Sequence, residues 1–164
     1  LLMKQAKITT DLRRVVGAAN ERAEKTGSPA AAMELDDGTI ITGKTTNLLG
    51  ASAALLLNVV KVLGNISHDI HLIAPSAIEP IQKLKVNYLG SKNPRLHTDE
   101  VLIALSASAA TDHNAQVALE QLPKLKGREV HTSVLLSDVD TKIFKKLGVN
   151  LTCEPIYEEK KIYH

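Results

Sequence analysis

The chain reads as an α/β protein, a three-layer α/β/α sandwich built on a mixed five-stranded sheet, and three observations lead there. Strand-like and helix-like segments alternate along its length, so crossover helices must connect strands that run at least partly parallel. Asp36-Asp37-Gly38 separates two short stretches with strand composition, the signature of a tight hairpin whose turn needs a positive φ. From Ala51 to Leu63 runs a helical segment that is apolar almost all round, which requires burial between other elements. With 164 residues, 44% of them hydrophobic, the chain suffices for a single domain with one buried core.

Taken in order, the first helix is expected to start at Thr9 or Thr10 and to run to about Lys25, where Thr26-Gly27-Ser28-Pro29 stops it. Asp11 suits the positive end of its dipole, and Leu12, Val15, Val16 and Ala19 form its apolar face. Strands Ala31–Leu35 and Thr39–Thr42 flank the Asp-Gly turn, and a loop then enters helix Ala51–Leu63. Asp69–Ala74 has the composition of a short strand ending at Pro75, and Ala77–Tyr88 reads as a helix closed by Gly90. Thr98 is placed as the N-cap of the next helix, with Asp99 and Glu100 in its first turn, and a break at Thr111-Asp112 starts another through Leu122. Val130–Leu136 is a strand, Val139–Leu147 a helix with Gly148 as its cap, and Val149–Cys153 the closing strand. There are no internal repeats and no low-complexity segments.

Gly38-Thr-Ile-Ile-Thr-Gly43-Lys44-Thr45 matches the phosphate-binding pattern G-x-x-x-x-G-K-[ST], yet its setting contradicts that reading. The four variable positions, Thr39, Ile40, Ile41 and Thr42, are β-branched and favour an extended strand over a flexible loop. The segment is therefore read as the second strand of the hairpin, and nucleotide binding through it is not expected.

Charge and composition narrow the function classes. Lys and Arg total 20 against 18 Asp and Glu, so no strongly basic face for nucleic acid is expected, and Tyr88, Phe144, Tyr157 and Tyr163 are too scattered to stack bases. The longest apolar stretch, Ala53 to Leu63, carries Asn58 and Lys61 and is far shorter than the roughly 20 residues that span a bilayer, so no membrane segment is expected. The single cysteine, Cys153, excludes an internal disulfide and a cysteine zinc cage, fits a cytoplasmic setting, and is read as a small buried packing residue. His68, His71 and His131 lack the paired spacing of helical zinc ligands, so neither a metal nor another cofactor is expected. The chain begins at Leu1, which reads as a fragment of something longer.

The order helix, hairpin, buried helix, strand, helix, strand, helix, strand resembles the cytidine-deaminase-like architecture. That resemblance implies the fold only. Zinc deaminases need His or Cys beside a catalytic Glu at the first of two helix starts and a Pro-Cys-x-x-Cys at the second, whereas this chain has Gly50-Ala51-Ser52-Ala53 and Pro75-Ser76-Ala77-Ile78-Glu79. A second resemblance rests on the runs Ile8–Asn20, Thr42–Ser52, Ile78–Leu84, Asn93–Leu105 and Ala118–Gly127, which are similar to the C-terminal part of a bacterial family catalogued as a domain of unknown function, numbered eighteen forty-six. The resemblance implies a much longer cytoplasmic protein whose N-terminal portion packs against this domain, and it implies no reaction.

The candidate site is a polar set: Lys44, Thr45, Thr46, Asn47 and Ser52 before the apolar helix, Ser76 after the third strand, and Arg95 with His97 before the helix at Thr98. A helix N-terminus offers unpaired N–H groups to an anion, and Arg and Lys balance its charge. Thr46, Asn47 or Ser52 would equally serve as simple helix caps, Ser76 and Glu79 as helix-entry residues, and Arg95 as a surface ion-pair partner. Asp112-His113-Asn114 reads as a turn between helices. If the topology is right, the loop Thr42–Ser52, the turn Pro75–Glu79 and the segment Arg95–Asp99 converge at one sheet edge around an anion. Two function classes follow: a noncatalytic assembly or interaction domain that packs on the rest of a longer chain or on a copy of itself as a homo-oligomer, or part of an enzyme or ligand-binding domain whose anionic small-molecule pocket is shared with an absent N-terminal region.

Overall fold

The computed structural model describes residues 2–156, with side chains from Arg14 onward. Helix α1 (Leu2–Thr26) leads into strand β1 (Ala30–Glu34) and strand β2 (Ile40–Lys44), followed by α2 (Ala51–Leu63) and α3 (Pro75–Lys83). A wide turn of π-helix, Leu84–Tyr88, extends α3. Then come α4 (Thr98–Ala109), α5 (His113–Glu120), a 3-10 turn at Leu122–Leu125, strand β3 (Glu129–Thr132), α6 (Asp138–Leu147) and strand β4 (Asn150–Cys153).

The hairpin forms where the Asp-Gly turn places it. Gly38 adopts φ +86°, and Asp37 Oδ1 accepts a hydrogen bond from the Thr39 N–H at 2.9 Å, which pins the turn while Ala31 pairs with Gly43 and Met33 with Ile41. The phosphate-loop look-alike is thus an ordinary strand of an antiparallel pair. Gly43 has a structural reason to be glycine: a Cβ there would lie 2.4 Å from the Leu55 backbone nitrogen and 2.6 Å from its Cα, so β2 and α2 touch backbone to backbone.

The sheet is mixed and has four strands in the order β2-β1-β3-β4. This corrects the expectation of five. Asp69–Ala74 is a run of turns, and its Leu72 and Ile73 are buried in a cluster with Val60 of α2, Leu105 of α4 and Ala115 of α5 instead of at the sheet. The place beside β1 is taken by β3, with Ala32 opposite His131 in an antiparallel register. Most strand ends and several helix ends shift by one or two residues, and three boundaries differ for a visible reason or by a wider margin. Helix α1 starts well before Thr9, β3 ends at Thr132 where the Thr132 hydroxyl donates to the Val134 carbonyl at 2.7 Å and closes a turn, and His97 takes the N-cap position expected of Thr98. Of the apolar face predicted for α1, Leu12 lies outside the described side chains, Val15 and Ala19 are buried and Val16 is half-buried. Cys153, expected to be buried, is half-buried because it ends strand β4 at the rim of the sheet.

Alternation along β1 defines the layers. Ala32 faces Val15 and Ala19 of α1 on one side, while Ala31 and Met33 face Leu55, Leu56 and Val59 of α2 and Phe144 of α6 on the other. Helix α2 is central, as its composition implies: its opposite face, with Ala53 and Val60, is covered by α4 and α5. Among the described residues no helix is long and apolar enough to cross a membrane.

Candidate functional site

Because β2 and β3 both run antiparallel to β1, and β4 runs parallel to β3, the C-terminal ends of β2, β3 and β4 share one edge of the sheet. The chain leaves that edge into α2 after β2 and into α6 after β3. Ligands of α/β sheets collect in this position, beyond strand C-termini and against helix N-termini. A cavity of about 200 Å³ lies there, and Thr45, Ser52, Arg95, His97, Ser137 and Asp140 contribute to its wall.

The segment carrying Arg95 and His97 is held against the loop before α2 by backbone bonds. The Leu96 N–H donates to the Leu48 carbonyl at 3.0 Å, the Gly50 N–H donates to the Leu96 carbonyl at 3.1 Å, and Arg95 Nε donates to the Thr46 carbonyl at 2.6 Å. From behind, the buried ammonium of Lys85 donates to the Arg95 carbonyl at 2.6 Å and to Glu100 Oε1 at 2.9 Å. Glu100 Oε1 in turn accepts the His97 N–H at 2.9 Å. A partly buried ion pair therefore fixes the backbone on which both cationic side chains stand, its charges compensated by one another and by these hydrogen bonds.

Three helix N-termini meet at the cavity, and they differ in how their N–H groups are satisfied. Helix α6 is capped by its own Ser137, whose Oγ accepts from the Asp140 N–H at 3.3 Å. Helix α4 is capped from outside: Asp140 Oδ1 accepts from the backbone N–H and the hydroxyl of Thr98 at 2.9 and 2.7 Å. Helix α2 has Gly50 at its N-cap and no side-chain cap. Beside it Ser52 is only 2% exposed, and its hydroxyl has no hydrogen-bond partner among the described residues. A buried hydroxyl left unpaired costs about 1–3 kcal/mol, so a ligand that accepts from it would recover that energy.

The carboxylate of Asp140 also stands 3.5 Å from His97 Nδ1. Its hydrogen bond raises the His97 pKa above the ordinary value, against an opposing effect of burial. For Asp140 itself burial acts to raise the pKa, but the hydrogen bonds from His97 and Thr98 together outweigh it and the net shift is downward. The pair thus favours imidazolium beside carboxylate. With Asp140 committed to Thr98 and His97, the positive contributions at the cavity are Arg95, His97 and the start of α2.

Of the eight residues expected at the site, Thr45, Ser52, Arg95 and His97 come together at this cavity. Lys44 and Thr46 line a different cavity beside it, because Lys44 and the buried Thr45 are consecutive residues with opposite orientations at the end of β2. Asn47 is exposed, its carbonyl accepting from Gln82 Nε2 at 2.9 Å, and Ser76 is exposed on the first turn of α3. Thr46 does not cap α2; its Oγ1 accepts from the N–H groups of Leu48 and Leu49 at 3.2 and 3.1 Å and shapes the loop. The expected convergence of three segments is therefore a convergence of two, joined by the start of α6. Asp140 and Lys85 are the residues that sequence reasoning missed. Ser137-x-x-Asp140 does carry a capping pattern that would have marked a helix start, whereas nothing local to Lys85 signals its burial. Among the described residues no group of three or more His, Cys, Asp or Glu side chains is placed to hold a metal ion.

Residues 11–163 match the family model described as Domain of unknown function DUF1846, C-terminal. The chain belongs to this family. A UPF0371 protein of Corynebacterium urealyticum is 58% identical over 163 residues, which are 99% of this chain and 33% of the relative. For UPF0371 proteins of Corynebacterium glutamicum and Streptococcus pyogenes the identities are 52% and 48%, with 99% of this chain and 33% of the relative covered in each case. The DUF1846 domain therefore spans about a third of the length of these curated relatives. This agrees with the resemblance carried by the five runs from Ile8 to Gly127.

Proposed function

We propose that this domain binds a small oxyanion, or the phosphate or carboxylate group of a small molecule, in the cavity at the start of α2, within a pocket completed by the remainder of a longer protein. The observation that carries the reading is the buried, unpartnered Ser52 hydroxyl at a helix N-terminus that has no side-chain cap. Arg95 and the imidazolium of His97 supply charge, and the volume of about 200 Å³ suits an anionic group rather than a whole cofactor, since drug-sized ligands occupy roughly 300–1,000 Å³. In this reading Asp140 and Lys85 hold the site in place without touching the anion.

Calorimetric titration of the full-length protein with inorganic phosphate tests it. Arg95→Ala is expected to weaken binding about 10- to 100-fold, as loss of a charge-assisted hydrogen bond does, and Ser52→Ala about fivefold. Affinity for sulfate, a dianion whose charge is constant over this range, is expected to fall as pH rises through the raised His97 pKa, above 6.5, because the neutral imidazole no longer offsets the anion's charge. Sulfate binding that is flat with pH and unchanged in Arg95→Ala would remove the proposal.

A second reading, an assembly role, is favoured by a separate surface. Leu84, Val86, Tyr88 and Leu89, four of six consecutive residues, are 48%, 39%, 70% and 72% exposed. We read this ridge as covered by the remainder of the longer protein, which in the relatives accounts for about two thirds of the length. Tyr88→Glu is then expected to raise hydrogen exchange of the π turn in the full-length protein. If that turn already exchanges freely in the natural protein, the ridge is not an internal contact. Self-association through the ridge is the corresponding alternative, and it would appear in light scattering as a dimer that Tyr88→Glu dissociates. Cytoplasmic location and a deaminase-like topology shortened by one strand complete the reading; the hairpin followed by buried α2 supports the latter.

A further inference from the structure

A larger cavity, of about 320 Å³, lies on the other side of the loop that follows β2. Its rim carries Arg22 of α1, Lys44 of β2, Lys61 of α2, and His68 and His71 from the turns before α3, while Leu57 and Ile78 provide apolar wall. No Asp or Glu lines it. In a chain with 20 Lys and Arg against 18 Asp and Glu, a wall of unselected residues would carry both signs in near-equal number. Arg22, Lys44 and Lys61, drawn from three separate parts of the fold and with no carboxylate beside them in the wall, concentrate positive potential in one concave place.

The bases are not consumed by internal partners. Lys61 Nζ donates to the carbonyl of His68 at 3.2 Å, a bond that leaves two of its three protons unassigned. Burial lowers the Lys61 pKa on balance, and Asp69, which lies outside the wall, opposes that shift. Among the described residues neither Arg22 nor Lys44 forms an ion pair. The cavity is at the lower end of the size range for small-molecule sites, roughly 300–1,000 Å³, which admits a sugar phosphate and excludes a dinucleotide. Its mixed lining, basic on the rim and apolar on one wall, suits a ligand with a charged end and a carbon skeleton.

We infer that this groove is a second, independent binding site, for a sugar-sized phosphate monoester, with the phosphate held by Arg22, Lys44 and Lys61 and the carbon skeleton against Leu57 and Ile78. It is distinct from the cavity at the start of α2, since the loop from Thr45 to Gly50 stands between them and Arg95 lines only the latter.

The test is calorimetric titration of the full-length protein with glucose 6-phosphate, with glucose as the uncharged control, in the natural protein and in Arg22→Glu, Lys44→Glu and Arg95→Ala. Arg22 and Lys44 are exposed, so their reversal leaves the core intact. Saturable binding of glucose 6-phosphate but not glucose is expected, with a component that each charge reversal weakens about tenfold or more and that persists in Arg95→Ala, where any binding of the phosphate at the α2 cavity is lost. Absence of binding in the natural protein, equal binding of glucose, or loss in Arg95→Ala with Lys44→Glu unaffected would each overturn the inference. The last of these outcomes would leave the anion site at α2 standing, so the two sites are judged separately.

Discussion

Replacing Gly43 with alanine is expected to destabilise the protein by about 3 kcal/mol or more, an unusually large effect for one added methyl group. The new Cβ would lie 2.4 Å from the Leu55 nitrogen and 2.9 Å from the Ala54 carbonyl carbon, and these are backbone atoms that no side-chain rotation can move away. Either β2 must part from β1, with the loss of the Ala31–Gly43 pairing, or α2 must lift from the sheet and uncover Leu55 and Val59. Urea denaturation followed by far-UV ellipticity measures the loss. A change under 1 kcal/mol would mean that β2 and α2 are not in backbone contact.

Asp140→Ala is expected to cost about 3 kcal/mol, because it strips the acceptor from the N–H and hydroxyl of fully buried Thr98 and the partner from His97. Asp140→Asn keeps an acceptor for Thr98 and should cost less, while cancelling the upward shift of His97, which two-dimensional NMR titration of the imidazole reads directly. The pair also shapes stability against pH. His97 is raised in the folded state, so its contribution is complete below its unfolded value near 6.5 and is lost as pH rises through the folded pKa. Asp140 is lowered, so its contribution is present above its unfolded value near 3.8 and is lost as pH falls through the folded pKa. The natural protein should therefore keep both contributions between about pH 4 and 6.5, and Asp140→Asn should flatten both limbs. An unchanged pH profile in Asp140→Asn would show that the two side chains do not interact.

Local signals were legible in this sequence, and long-range ones were not. Helix Ala51–Leu63 was readable to the residue because an all-round apolar segment bounded by Gly50 and Gly64 has few alternatives. The hairpin was equally plain from Asp37-Gly38, and recognising it exposed the phosphate-loop spelling as coincidence: Gly43 serves strand-helix contact, and Lys44 points away from Thr45. Asp69–Ala74 misled because Leu72 and Ile73 are apolar for burial among helices, and composition over so few residues does not distinguish that from a strand. At the site, Arg95, His97 and Ser52 could be picked out by residue type, but their distribution between two cavities depends on the facing of single residues at a strand end. Asp140 lies 43 residues beyond His97, and only the packing of α6 on α4 brings them together.

The central claim is that the start of α2 is built to receive an anion, and anomalous diffraction tests it most directly. Crystals of the full-length protein soaked in tungstate should show a peak within hydrogen-bonding distance of the Ser52 hydroxyl and the Arg95 guanidinium, and Arg95→Ala crystals should lack it. A cavity with no peak, or one filled by a side chain from elsewhere in the longer protein, would contradict the claim.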